Sequence, residues 1–316
     1  MDENISFWIL FNAFVLVMLG LDLFVFHRNA HVVRIKEALG WSAFWIVLAL
    51  SFNAYIYYSR GTEPALEFLT AYLIEKSLSV DNLFVFIVLF NYFKIPQQYQ
   101  HKVLFWGIIG ALVLRAFFII IGVALLDKFH FIIYILGAFL VFTGIRMAMT
   151  SHETEINPKA NPVVKFISRF MPVTNELVGG KFFVKRERMI FATPLFIVLM
   201  MVETTDVVFA MDSIPAILAI SRDTFIVYTS NVFALLGLRA LYFALSGIMQ
   251  LFHYLHYGLA LILVFIGTKL VLSDIYHFDM RIALMIVGGI LAISIIASLL
   301  FPKKDNDLPL PPQDIK

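Results

Sequence analysis

The chain has 316 residues, 61% of them hydrophobic and only 15% charged, with 33 Phe, no cysteine and a formal net charge of +2. A soluble domain is nearer half apolar and a quarter charged, so an ordinary globular protein with one anchor is excluded. The small net charge implies no nucleic-acid partner, and the lack of cysteine excludes disulfides, thiolate metal sites and haem attachment.

Apolar runs of the length needed to span a bilayer, about 20 residues, recur along the chain. They cover 6–26, 39–58, 66–90, 103–126, 131–149, 189–212, 225–247, 257–274 and 281–300. Open backbone cannot face lipid, so helices are the reading compatible with these lengths. The expected fold class is an all-α polytopic membrane protein of about nine transmembrane helices, with the lipid bilayer as its first partner. The start, Met1-Asp2-Glu3-Asn4, is acidic, which argues for a retained first helix rather than a cleaved signal peptide.

In chain order the expected units are 1–65 (two helices), 66–149 (three helices), a basic loop 150–188, 189–274 (three helices), 275–301 (one helix) and a tail 302–316. The loop carries Asn157-Pro158, Asn161-Pro162, Met171-Pro172 and Gly179-Gly180, which are turn and breaker signals. It reads first as a linker and second as a docking place for a protein partner. The tail, with Pro309, Pro311 and Pro312, reads as a disordered polar end.

Basic residues set the expected orientation. Arg28, Arg34 and Lys36 follow the first span, Lys94 and Lys102 the third, and Lys159, Lys165, Arg169, Lys181, Lys185, Arg186 and Arg188 the fifth. Lys303, Lys304 and Lys316 lie in the tail. The opposite side holds Arg60, Lys128, Arg222 and Arg281. The amino terminus is therefore expected outside and the carboxyl terminus in the cytosol.

Two of the apolar runs contain acids at equal spacing. Glu75-Lys76-Ser77-Leu78-Ser79-Val80-Asp81-Asn82 lies in the third span. Asp206-Val207-Val208-Phe209-Ala210-Met211-Asp212-Ser213, preceded by Glu203, lies in the sixth. An ionised carboxylate at bilayer depth is costly unless paired or metal-bound, so these acids are functional candidates. The likeness extends further. Leu112-Val113-Leu114-Arg115-Ala116-Phe117 resembles Leu236-Gly237-Leu238-Arg239-Ala240-Leu241, and 140–146 resembles 263–269, ending in Arg146 and Lys269. A three-helix unit crosses an odd number of times, so a contiguous copy runs the opposite way. The expected architecture is an inverted three-helix repeat, as in alternating-access transporters, with a site between the halves.

On a straight helix Glu75, Ser79 and Asn82 share a face, whereas Asp81 points roughly 120° from Glu75 at about 100° per residue. The same holds for Asp206 and Asp212. Pro215 lacks an N–H and clashes with the carbonyl of Met211, so a helix break there is expected to let Asp212 and that carbonyl face one cavity. The alternative is that the acids serve two adjacent sites along a path. Glu75, Asp81, Glu203, Asp206 and Asp212, with Asn82, Ser79, Ser213 and the neighbouring Met211 as auxiliary ligands, form a mainly oxygen donor set. Such donors suit hard cations. The bland reading is that Lys76, Arg115, Arg146, Arg239 and Lys269 neutralise these acids and Asp22 as structural pairs. Repetition at equal spacing favours transport. On that reading Lys76, Arg115, Arg239 and Lys269 serve as counter-charges or gates.

The two acidic motifs, the second continuing Ser213-Ile214-Pro215-Ala216-Ile217, resemble the TerC family, in particular its Alx-type bacterial members. The resemblance runs from Asp22-Leu23 to the last span and includes Ala192-Thr193-Pro194-Leu195 and Ser230-Asn231-Val232-Phe233-Ala234-Leu235-Leu236-Gly237-Leu238-Arg239-Ala240. It implies membership of the wider LysE-like exporter group, a bacterial inner-membrane location and manganese efflux. It also places the metal residues at Glu75, Asp81, Glu203, Asp206 and Asp212. The family's association with tellurite resistance does not identify a tellurium substrate. Mn2+ is the expected cargo, Ca2+ its nearest rival, and no permanently bound cofactor is expected. Exchange for inward protons would follow if protonated carboxylates release the metal. The chain lacks a His-Glu-x-x-His motif and a Gly-Lys-Ser/Thr phosphate loop, so neither an enzyme nor an ATP-driven pump is expected. The reading from another class is a membrane interaction or metal-delivery protein that docks on secretion or envelope machinery through 150–188.

Overall fold

The computed structural model describes residues 5–24, 35–129, 131–149, 165, 167–169, 171–174, 177–186, 189–246, 254–275 and 279–301. The tail 302–316, most of the first half of the loop 150–188, and the side chains of Asp22 and Asp81 lie outside the described residues. The helices are α1 (Ile5–Phe24), α2 (Ile35–Arg60), α3 (Thr62–Tyr92), α4 (Gln97–Lys128), α5 (Ile132–Met149), α6 (Pro194–Leu218), α7 (Thr224–Leu236), α8 (Leu238–Leu245), α9 (Leu255–Val271) and α10 (Met280–Leu300). Five of them (α2, α4, α5, α6 and α10) are long and apolar enough to cross a membrane, and six spans result if the bent pair α7 and α8 is one. α3 has 31 residues, but Glu75, Lys76 and Asp81 keep it outside that apolar class.

Local chemistry fixes the helix ends. Pro194 opens α6, where its missing N–H costs nothing. Asp223 caps α7 by accepting from the N–H groups of Phe225 (2.8 Å) and Ile226 (3.2 Å). Asp279 caps α10 through the Arg281 N–H at 2.8 Å.

The outer helices present apolar side chains outward as well as inward. On α5, Ile135 and Phe142 face outward while Gly137, Leu140 and Gly144 are buried. Inside, Phe11, Phe52, Phe68, Phe225 and Phe233 pack ring on ring between α1, α2, α3 and α7. α7 is buried along almost its whole length and sits at the centre.

α5 and α9 approach backbone to backbone. A Cβ placed on Gly267 would meet the Gly137 carbonyl at 2.6 Å, and one on Gly144 would meet the Ala260 carbonyl at 2.7 Å. Small residues allow this closeness, which gains van der Waals contact where lipid offers no hydrophobic drive.

Four expectations are corrected. The all-α reading has an exception: β1 (Phe183–Arg186) and β2 (Met189–Ala192) form an antiparallel hairpin, pairing Phe183 with Ala192 and Lys185 with Ile190. The apolar run assigned to a helix from 189 thus begins as a strand, because Pro194 marks the first helical residue. The span 225–247 is not one helix. It breaks at Gly237 with a bend of 40°. The break expected at Pro215 is absent, since α6 continues through it to Leu218. Pro215 sits in the last turn, where little helix remains to be disrupted.

The close approach of α5 and α9 yields a prediction. Gly267→Ala should destabilise the detergent-purified chain by the order of 1–3 kcal/mol expected for overpacking, and so lower its melting temperature. Gly288→Ala, whose Cβ would meet nothing within 4 Å, should leave it unchanged or slightly raised. Equal melting temperatures for the two variants would contradict the packing account.

Candidate functional site

The centre of the site is one guanidinium shared by two carboxylates. Arg115 of α4 forms an ion pair through Nη1 with Glu75 of α3. Its Nη2 lies 3.2 Å from Asp206 Oδ1 and its Nε 3.4 Å from Asp206 Oδ2, on α6. Nη1 also donates to Asn231 Oδ1 of α7 at 3.4 Å. All four side chains are buried, Glu75 at 0% exposure and Arg115 at 1%. The first acids of both sequence motifs are therefore joined at one point.

Desolvating these charges is expensive, and only mutual attraction and hydrogen bonding offset it. The offset is incomplete. Two carboxylates and one guanidinium carry a formal charge of −1. Glu75 Oε2, Ser79 Oγ, Ser213 Oγ and Asn231 Nδ2 are buried with no hydrogen-bond partner among the described residues. Leaving a buried polar atom unpaired costs about 1–3 kcal/mol. Glu75, Ser79 and Asn82 are all buried, as their common helix face requires.

The other predicted acids stand apart. Glu203 is half-buried one turn before Asp206, and its carboxylate fills the notch left by Gly110 on α4, where a Cβ would collide with it. Asp212 lies six residues beyond Asp206, about 9 Å along the axis at 1.5 Å per residue. It accepts from Thr143 Oγ1 at 3.5 Å and feels the charge of Arg146, both on α5. Among the described residues no three His, Cys, Asp or Glu side chains are grouped closely enough to hold a metal ion. Met211 points outward.

The basic residues also divide. Arg115 bridges the acids. Among the described residues Lys76 contacts no acid: its Nζ donates to the Ala234 carbonyl of α7 at 3.1 Å, beside the break at Gly237. Arg239 is buried in α8, just past that break. Lys269 of α9 faces Glu67 of α3 closely enough for their charges to interact.

Two features escaped the sequence reading. Asn231 was legible as a lone amide in the buried run Ser230–Leu236. Glu67, just inside the span 66–90, accepts from Ser221 Oγ at 2.6 Å in the turn between α6 and α7. Its signal was an acid within an apolar run, without the repetition that marked the others.

The family model described as "Integral membrane protein TerC family" matches residues 60–306. The chain belongs to the TerC family. Among curated TerC relatives it is 49% identical over 306 residues to an uncharacterised membrane protein of Myxococcus xanthus, covering 96% of each chain. It is 47% identical to the Salmonella typhi protein Alx and 46% identical to that of Escherichia coli (strain K12), covering 92% of each chain. Both Alx proteins are named as candidate membrane-bound redox modulators. No solved structure matches the chain.

The bridge makes a testable energetic statement. Arg115→Met should destabilise the purified protein by about 3–5 kcal/mol, because two buried carboxylates lose their counter-charge. The triple variant Glu75→Gln, Asp206→Asn, Arg115→Met should recover much of that loss. Thermal unfolding in detergent checks both, and a single variant as stable as the parent would contradict the shared-guanidinium account.

Proposed function

We propose that this TerC chain exports divalent manganese from the cytosol across a bacterial inner membrane by alternating access. The observation that carries the reading is the pair Glu75 and Asp206, one from each repeated motif, held on Arg115 in a buried interior. Burying three charged groups in a protein that is 61% hydrophobic is costly, which favours a functional reason for the cluster. In this reading Arg115 is the resident counter-charge of the empty site. An entering dication displaces it and takes oxygen ligands from Glu75 and Asp206, with Asn231, Ser79 and Ser213 alongside. Glu203 and Asp212 lie before and beyond Asp206 on the same helix and mark a path rather than one ligand shell.

The inverted repeat is part of this proposal, as are nine crossings with the amino terminus outside. Reciprocal packing supports the repeat. Under the sequence match of 140–146 to 263–269, Gly137 and Gly144 correspond to Ala260 and Gly267. Gly137 meets Gly267, and Gly144 meets Ala260. Residue i thus meets the counterpart of j, and j the counterpart of i, the signature of a two-fold axis. Likewise α3 packs on α7 and α6 on α4.

All-oxygen ligands separate manganese from calcium poorly, so calcium is the nearest rival cargo. Exchange for inward protons fits carboxylates that release metal on protonation. The redox description of the Alx relatives needs no thiol of this chain, which has no cysteine; a change in the cellular metal pool is a route that requires none.

The test is total cellular manganese in a strain without its own exporters, loaded with the metal. Expression of the parent chain should lower it several-fold, whereas Asp206→Asn and Asp212→Asn at matched membrane levels should not. Equal manganese in all three strains would overturn the reading.

A further inference from the structure

The break between α7 and α8 holds a charged group that the transport reading does not use. Lys76 follows Glu75 directly in α3, and one residue turns about 100° around a helix. Glu75 therefore reaches α4 while Lys76 reaches α7. The Lys76 Nζ donates to the Ala234 carbonyl at 3.1 Å. That carbonyl belongs to the last turn of α7, where backbone acceptors lack intrahelical donors and the helix dipole is negative. A Cβ on Gly237 would lie 2.8 Å from Nζ and 3.0 Å from Trp45 Cβ. The amine, the glycine and the indole thus fill one small space at the bend.

Interrupted helices in membranes present such carbonyl ends to small cations, which satisfy them. We propose that the Lys76 ammonium is a tethered cation occupying a monovalent-cation position at the carbonyl end of α7. It positions the bend through Ala234, and the bend in turn sets Asn231, three residues before Ala234, against Arg115. Because the cation is part of the chain, no alkali-metal ion is needed to hold the break. Adjacent residues of one motif therefore fasten two different helices, α4 through Glu75 and α7 through Lys76. This inference does not depend on manganese being the cargo.

Removing the side chain should unmask the position. The purified Lys76→Ala chain should melt about 1–2 °C higher in methylammonium chloride than in equimolar choline chloride, since one satisfied buried acceptor is worth about 1 kcal/mol and an unfolding entropy of about 2.1 cal/mol/K per residue converts that into roughly 1.5 °C for a chain this size. Choline is too large to enter. The parent chain should melt at the same temperature in both salts, and in sodium or potassium chloride. Lys76→Ser, carried through the same comparison with the same expected difference, decides the matter where Lys76→Ala is recovered poorly. Variants indifferent to methylammonium, or a parent that responds as they do, would overturn the proposal.

Discussion

The Arg115 bridge is the constraint around which the interior is arranged. Three helices, the consecutive α3 and α4 and the distant α6, meet because one guanidinium must satisfy Glu75 and Asp206 in the buried interior. Asn231 adds α7 to the same point. In lipid, helix association lacks a hydrophobic driving force, so a buried polar centre of this kind specifies which helices pack together. The small-residue contact of α5 with α9 does the same on the flank, by shape rather than charge.

Much of this was legible in the sequence. Helix existence followed from apolar length: the expected spans fall on helices, of which five, or six with the bent pair, are long and apolar enough to cross a membrane. The motif acids Glu75 and Asp206 were legible because acids at equal spacing in two apolar runs are costly to bury and stand out from the surrounding pattern. What was not legible depended on local backbone competition. The strand Met189–Ala192 is as apolar as a helix start, and only Pro194 separates the two. The break was expected at Pro215 on covalent grounds, yet it falls at Gly237, where Lys76 and Trp45 from other helices take the space a side chain would need. Tertiary packing, invisible in a linear pattern, decides between two weak points.

The role of the basic residues also changes with the structure. The sequence offered Lys76, Arg115, Arg239 and Lys269 as one class of counter-charges. They divide by the chemistry of their partners: Arg115 meets carboxylates with a planar fork suited to two acceptors, Lys76 meets a single carbonyl, and Lys269 faces Glu67 near the start of α3. On the proposed reading, Arg115 keeps the acids tolerable in the empty site and is the counter-charge that an entering cation exchanges, while Lys76 holds the bend at the end of α7.

The central claim is that this one chain moves manganese through the acids held by Arg115. The most direct test reconstitutes the purified chain in liposomes carrying a manganese-quenched dye and follows quenching on addition of Mn2+. The account predicts quenching faster than in protein-free vesicles for the parent, and a return to the protein-free rate for Asp206→Asn recovered folded. A folded parent chain that quenches no faster than empty vesicles would contradict it.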